Sequence, residues 1–172
     1  MSKNVDFSGR PFHFIGIGGI GMSALAYILA KRNLPTYGSD LKSSHITKRL
    51  QAIGTHIFWC QDAKNLELFQ QISQQKNLSP SNDSNLNFSS INLRLNAEAL
   101  MTKKHNGRME DNQEISELPQ VICSTAINKT NSEYKAAIAL GCPILHRSDL
   151  LAALIQDYQS IAVAGTHGKT TT

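Results

Sequence analysis

An α/β fold on a mostly parallel sheet, with helices on both faces, is what this 172-residue sequence predicts. Three observations carry the prediction. Short β-rich apolar runs alternate with stretches of helical periodicity. The first run ends in glycines that open a helix. The alternation then lapses in mid-chain and resumes, so one polar stretch interrupts an otherwise regular Rossmann-like pattern.

Phe12 to Ile17 is the first strand. Ala24, Leu25, Ile28 and Leu29 follow at helical spacing, and Asn33-Leu34-Pro35 closes that helix. Thr36 to Ser39 is a second short strand. Ser43 or Ser44 caps the next helix, whose apolar side is Ile46, Leu50 and Ile53, with Gly54 as its left-handed stop. Thr55 to Cys60 is the third strand. After the interruption, Val121 to Cys123 is a buried strand, and Ser132 to about Leu140 a helix with Tyr134, Ala137 and Ile138 on one side and Gly141 as its stop. Pro143 to Leu145 is another strand. Ser148 then caps a helix with Leu150, Leu151, Leu154, Ile155 and Tyr158 inward, and Ser160 to Ala164 is the last strand.

The interruption, roughly Gln70 to Glu117, differs in composition. Ser73 to Ala97 holds six Asn and six Ser, too little apolar surface to offset its ordering entropy. It reads as an insertion at a loop; Ile91, Leu93 and Leu95 alternate with polar residues and could form a small extra strand.

Hydrophobic residues at 41% and charged residues at 17% describe a globular chain, long enough for one domain with a core and short for two. The net charge of +4 is modest, and Lys and Arg are scattered, which disfavours nucleic acid and suits a small phosphate-bearing ligand. Cys60, Cys123 and Cys142 lack metal or redox spacing and read as free thiols in a reducing compartment. The N-terminus has no apolar signal core and no run approaches membrane-spanning length, so a cytoplasmic protein without membrane insertion is expected.

Two phosphate-binding patterns stand out. In Gly16-Ile-Gly18-Gly19-Ile20-Gly21-Met22-Ser23, the first glycine of G-x-G-x-x-G serves a tight turn, the second lets backbone approach a pyrophosphate, and the third allows close helix packing. Unpaired N–H groups at the helix start and the helix dipole would then meet the ligand's charge. Asp40, nineteen positions after Gly21, stands near the spacing of a ribose-binding acid; a turn or capping role is the alternative. Ser23 either donates to a phosphate or caps. The second pattern is Gly165-Thr166-His167-Gly168-Lys169-Thr170-Thr171, directly after the last strand. It has the parts of a P-loop: backbone N–H groups for phosphates, Lys169 for the β/γ oxygens and Thr170 for Mg²⁺. Val163 stands where the general pattern has glycine, which marks a shorter G-T-x-G-K-T variant.

Together these motifs resemble the Mur ligases of peptidoglycan (cell wall) biosynthesis. The resemblance rests on the glycine loop, Gly38-Ser-Asp40, Ser124-Thr125-Ala126-Ile127 before an Asn-x-Glu helix start, and Ala162 to Thr172. It implies residues 1–11 as a tail, 12–158 as a UDP-sugar-binding domain carrying the insertion, and 159–172 as the start of a central ATP domain. It also implies UDP-N-acetylmuramate and L-alanine as substrates, ATP and Mg²⁺ as cofactors, and an acyl phosphate attacked by the alanine amine. Lys169 would be the catalytic residue of the ATP loop. Gly16 to Ser23 and Asp40 would hold the UDP part, with Ser124, Thr125 and Ala126 bordering the sugar. Cys60-Gln61 departs from the family's Gly-His, keeping a hydrogen-bonding group near the base but no ring. The 172 residues alone are expected to bind the sugar nucleotide without ligating. A nicotinamide-dependent oxidoreductase and a non-catalytic sugar-nucleotide module are the alternatives; the former leaves Gly165 to Thr172 unexplained.

Overall fold

The computed structural model describes residues 4–76, 118–156 and 159–161, with the side chains of 71–76 left aside. Ten elements follow in order: β1 (Phe12–Ile15), α1 (Ile20–Lys31), β2 (Thr36–Ser39), α2 (His45–Ala52), β3 (His56–Phe58), α3 (Lys64–Lys76), β4 (Gln120–Cys123), α4 (Ser132–Ala139), β5 (Ile144–His146) and α5 (Arg147–Ile155). The strands form one parallel sheet in the order β3-β2-β1-β4-β5.

Two cores flank the sheet, because alternate residues of a strand face opposite sides. Phe12, Phe14 and Ile122 pack with Leu25, Leu29, Leu50, Leu150 and Leu154, which places α1, α2 and α5 on one face. Ile15 and Val121 pack with Leu66, Phe69 and Ala137, which places α3 and α4 on the other. Central β1 is buried along its whole length, as a strand covered on both faces must be.

The helix ends follow local chemistry. Asn33 takes the left-handed conformation (φ 59°) after α1. Ser44, not Ser43, caps α2: its Oγ accepts from Thr47 N (3.2 Å) while Thr47 Oγ1 accepts from Ser44 N (2.8 Å). Gly54 and Gly141 adopt positive φ as helix stops.

Four expectations are corrected. Helix α5 starts at Arg147 under a His146 cap, with His146 Nδ1 accepting from Ser148 N (3.3 Å) and Asp149 accepting from His146 N (2.9 Å). A two-fold choice of polar residues next to a strand end hid this, because imidazole is an uncommon cap. Leu151 and Ile155 are 49% and 46% exposed, Ile138 is 58% exposed and Ile28 is 38% exposed. Narrow apolar stripes suffice for these helices: Leu150 and Leu154 anchor α5, and on α4 the inward place beside Ala137 belongs to Glu133. Helix α3 continues to Lys76, past the Gln70 boundary that composition suggested. Leu66 and Phe69 anchor it at i, i+3 spacing despite its glutamines. Finally, residues ahead of β1 are docked: Gln120, 1% exposed, accepts from Asp6 N and donates to Asp6 O, both at 2.7 Å.

The possible strand at 91–95, Tyr158, and the loop Gly165 to Thr171 with Lys169 lie outside the described residues. So does most of the strand expected at Ser160 to Ala164; Ser160 and Ile161 carry no regular structure.

Candidate functional site

Strand order reverses between β1 and β4, since the chain moves outward to β2 and β3 before returning to β4 on the far side. In open parallel sheets a crevice forms at this reversal, beyond the carboxyl ends of the strands. Here a cleft of about 400 Å³ lies at that place. The turn after β1 supplies Gly16, Gly19, Ile20, Gly21 and Met22 to its wall. The end of β2 supplies Asp40, Leu41 and Lys42, and the turn after β4 supplies Ser124, Ala126 and Ile127. Gln61 and Arg147 complete it.

The glycine loop is built from the inside out. Gly16 has φ +78°, a conformation that costs an L-residue roughly 1–2 kcal/mol. Its N–H and that of Ile17 both donate to Ser39 O (2.9 Å each), which ties the turn to β2. Gly18 differs from its expected role. Its N–H donates to Asp40 Oδ2 (2.8 Å), and a Cβ there would lie 2.7 Å from that oxygen and 3.1 Å from Thr47 Cγ2. Glycine is needed at 18 so that a carboxylate can approach, which leaves phosphate-facing donors to the helix itself. Ile20, Gly21 and Met22 are the first three residues of α1, and such N–H groups have no intrahelical acceptor.

Asp40 also accepts from Lys42 N (3.1 Å) through Oδ1, so it both closes a turn and latches the loop. A carboxylate oxygen can accept more than one hydrogen bond, so Asp40, which lines the cleft, retains acceptor capacity for a hydroxyl. Ser23 is only 8% exposed and donates to Ile20 O (3.1 Å), on the side of α1 that meets α2. It is neither cap nor part of the cleft wall; Gly19 occupies the cap position. Of the turn after β4, Ser124 and Ala126 reach the wall, while Thr125 is exposed beside it.

Sequence reading missed the scaffold beneath the cleft. Glu133 is fully buried, and its carboxylate accepts from Ser39 Oγ (2.5 Å), Asn65 Nδ2 (2.8 Å) and His13 Nε2 (2.7 Å). Asn65 also donates to Cys60 O (2.8 Å). One carboxylate thus fastens α4 to β1, β2 and α3. Two residues earlier, Asn131 caps α4 by accepting from Tyr134 N (2.9 Å) and donates to Gln61 Oε1 (2.9 Å). Ser132 Oγ donates to Gln61 O (2.7 Å). Gln61 is therefore held from both its side chain and its backbone at the edge of the cleft. The Asn-x-Glu spacing was the available signal, but it did not reveal which groups these side chains meet.

A family model described as Mur ligase family, catalytic domain, matches residues 11–159. The chain belongs to the Mur ligase family. Membership sets aside the oxidoreductase alternative. Two relatives named UDP-N-acetylmuramate–L-alanine ligase match along the whole chain: that of Trichodesmium erythraeum at 73% identity and that of Crocosphaera subtropica at 60%. The chain spans about a third of their length, 32% in both cases. Among solved structures, the UDP-N-acetylmuramate:L-alanyl-γ-D-glutamyl-meso-diaminopimelate ligase of Neisseria meningitides superposes with a TM-score of 0.63 at 20% identity, covering 95% of this chain and 37% of its own. UDP-N-acetylmuramate-alanine ligase of Thermotoga maritima gives 0.53 at 22%, covering 86% and 23%. These two likenesses concern the fold, a mostly parallel sheet of the Mur ligase type. Among the described residues no helix is long and apolar enough to cross a membrane.

Proposed function

We propose that this chain is the sugar-nucleotide-binding part of an ATP-dependent ligase that joins L-alanine to UDP-N-acetylmuramate. The observation that carries the reading is the cleft at the strand reversal, where free N–H groups of α1 and two cations meet polar groups suited to a sugar or base. The likeness of all 172 residues to about a third of the length of ligases of that name supports the choice of substrate.

In this reading the diphosphate lies over Ile20, Gly21 and Met22, and Asp40 accepts from a ribose hydroxyl. Gln61, held by Asn131, offers its amide towards the base in place of the ring that the family commonly has there. Ser124, Thr125 and Ala126 border the sugar. Gly165 to Thr171 would hold ATP, with Lys169 offsetting phosphate charge and Thr170 serving Mg²⁺, by the P-loop composition alone. ATP supplies activation of the lactyl carboxylate for attack by the alanine amine. Work inside the cell, in the cytoplasm, goes with this substrate and with free thiols.

Calorimetric titration of the 172-residue chain with UDP-N-acetylmuramate and with NAD tests the proposal. Saturable binding of the sugar nucleotide and none of NAD is the expected outcome. Binding of NAD alone would overturn it.

A further inference from the structure

A second concavity opens between α1 and α2, and none of the residues that line it lines the cleft. It is a half-open groove of about 410 Å³. Ala24, Tyr27 and Ile28 of α1 form one wall, and Ile46 and Leu50 of α2 the other. Leu50 is 2% exposed and belongs to the core beneath, whereas Ile28 is 38% exposed. Packing of α1 gives Ile28 no reason to be apolar, because Leu25, Ala26 and Leu29 already fill its inward side.

The rim of the groove is cationic. Arg49 of α2 and Lys31 of α1 both stand over Tyr27, with Arg49 Cζ 5.3 Å and Lys31 Nζ 5.7 Å from the ring centroid. Lys48 is exposed next to Arg49 on α2. Neither helix contains an Asp or a Glu, and among the described residues no carboxylate pairs with any of these three cations. The acids nearest in sequence to the sheet's edges are committed elsewhere: Asp40 and Asp149 accept from backbone N–H groups, and Glu133 is buried. Contact with the Tyr27 ring offsets the mutual repulsion of its two cations only in part. An anionic partner would convert that repulsion into attraction.

The shape and the charge together select the occupant. A second copy of the chain joined through this face would set Lys31, Lys48 and Arg49 against their own counterparts, which opposes an isologous contact. A bilayer surface is flat, whereas the apolar surface here lies in a trough between two helices. A protein helix meets both demands, since one of its faces can enter the trough while carboxylates on its flanks reach the rim. We propose that this groove receives an acidic amphipathic helix of a partner protein. Its apolar side chains lie among Ala24, Ile28 and Ile46, and its carboxylates lie on Arg49, Lys31 and Lys48. The docking surface stands apart from the cleft and does not depend on the sugar-nucleotide reading.

Fluorescence anisotropy of two labelled peptides against the 172-residue chain tests the proposal. One is a helical peptide of about four turns with Leu at i, i+3, i+4 and i+7 on one face and Glu on the others; in the second, Lys replaces each Glu. The wild-type chain should bind the Glu peptide saturably, more weakly as NaCl rises, and should not bind the Lys peptide. Ile28→Asp should weaken the Glu peptide by roughly ten-fold or more, because it places a carboxylate in the apolar trough. Arg49→Glu should weaken it by a similar factor and flatten the salt dependence. Both positions are exposed, so both variants should keep the thermal midpoint within about three degrees, which separates lost docking from lost folding. Equal binding of the two peptides, no saturable binding of the Glu peptide, or binding that neither substitution alters would overturn the proposal. So would Arg49-dependent dimerisation in sedimentation velocity, which would give the face to a second copy. Co-sedimentation with phosphatidylserine–phosphatidylcholine vesicles in place of peptide binding would overturn it in favour of a lipid surface.

Discussion

Removing the Glu133 carboxylate tests whether the buried network under the cleft is a fastening of the fold. Glu133→Ala leaves His13 Nε2 and Ser39 Oγ without their acceptor and strips Asn65 of one of two, all in a region sealed from water. Each buried donor left unpaired costs about 1–3 kcal/mol, and breaking a buried pair from one side costs about 3–5 kcal/mol. Asn65 retains Cys60 O and Ser39 can turn, so the lower range, roughly 3–5 kcal/mol in total, is the expectation. Glu133→Gln keeps the shape and one acceptor oxygen for His13 and Asn65, and exchanges only the end facing Ser39. Its cost should be about 1–2 kcal/mol. For a chain of this size each kcal/mol moves the midpoint by roughly 2–4 °C, so Glu133→Ala should melt about 6–20 °C lower and Glu133→Gln about 2–8 °C lower. Thermal circular dichroism on the 172-residue chain gives both numbers. Adding His13→Phe to Glu133→Ala should cost less than the sum of the single changes, because the orphaned ring is gone. A Glu133→Ala midpoint within two or three degrees of wild type would refute this account of the network.

Other expectations follow from single groups. Gly18→Ala places a Cβ 2.7 Å from Asp40 Oδ2, so it should break the latch, cost about 1–2 kcal/mol in urea unfolding, and weaken sugar-nucleotide binding. Burial raises the Cys142 thiol above its usual range while Cys60 is exposed; iodoacetamide at mildly alkaline pH should label Cys60 promptly and Cys142 only on unfolding, as peptide mass mapping would register. Burial likewise raises Tyr37 above the ordinary 10.0. The folded state holds that phenolic proton longer than the unfolded state does, so its contribution is whole below about pH 10 and is lost as pH rises towards the folded-state value. Tyr37→Phe should therefore blunt the alkaline loss of stability above pH 10, measured by denaturation at stepped pH. Finally, the 172 residues alone should give no alanine-dependent ATP hydrolysis, and detectable turnover would defeat that expectation.

The sheet and its helices were legible because the signals involved are local. Apolar runs, a Ser cap, Gly54 and Gly141 each act within a few residues, and the structure keeps them. What escaped were features whose cause lies far along the chain. Helix α3 looked like the start of a polar insertion, since Gln dominates its second half; it is fixed by two side chains, Leu66 and Phe69, meeting a core that includes residues of β1, β4 and α4. The residues before Phe12 looked like a tail until Gln120, more than a hundred positions later, paired with the backbone of Asp6. Inward faces were misjudged where hydrophobicity was the guide, because Glu133 takes a core position on α4 and Ile138 does not.

The cleft divides the same way. Gly16, Gly21 and Asp40 were found from spacing, and Gly19, Ile20, Met22, Ser124 and Ala126 from the family resemblance; they do meet at one wall. The reasons for two glycines were not legible, since a motif states that a side chain is absent and not what fills its place. Position 18 makes room for Asp40, whose carboxylate then holds the loop; position 21 makes room for Arg147. Both fillers come from other strands' ends and both are charged, one acid and one base. A glycine loop of this kind is thus less a bare cradle than a socket, in which an acid fixes the turn and a base lies over the first turn of α1. The two roles cannot be exchanged: a cation at 40 would meet Gly18's N–H as a repulsive donor, and an acid at 147 would repel any phosphate brought to α1.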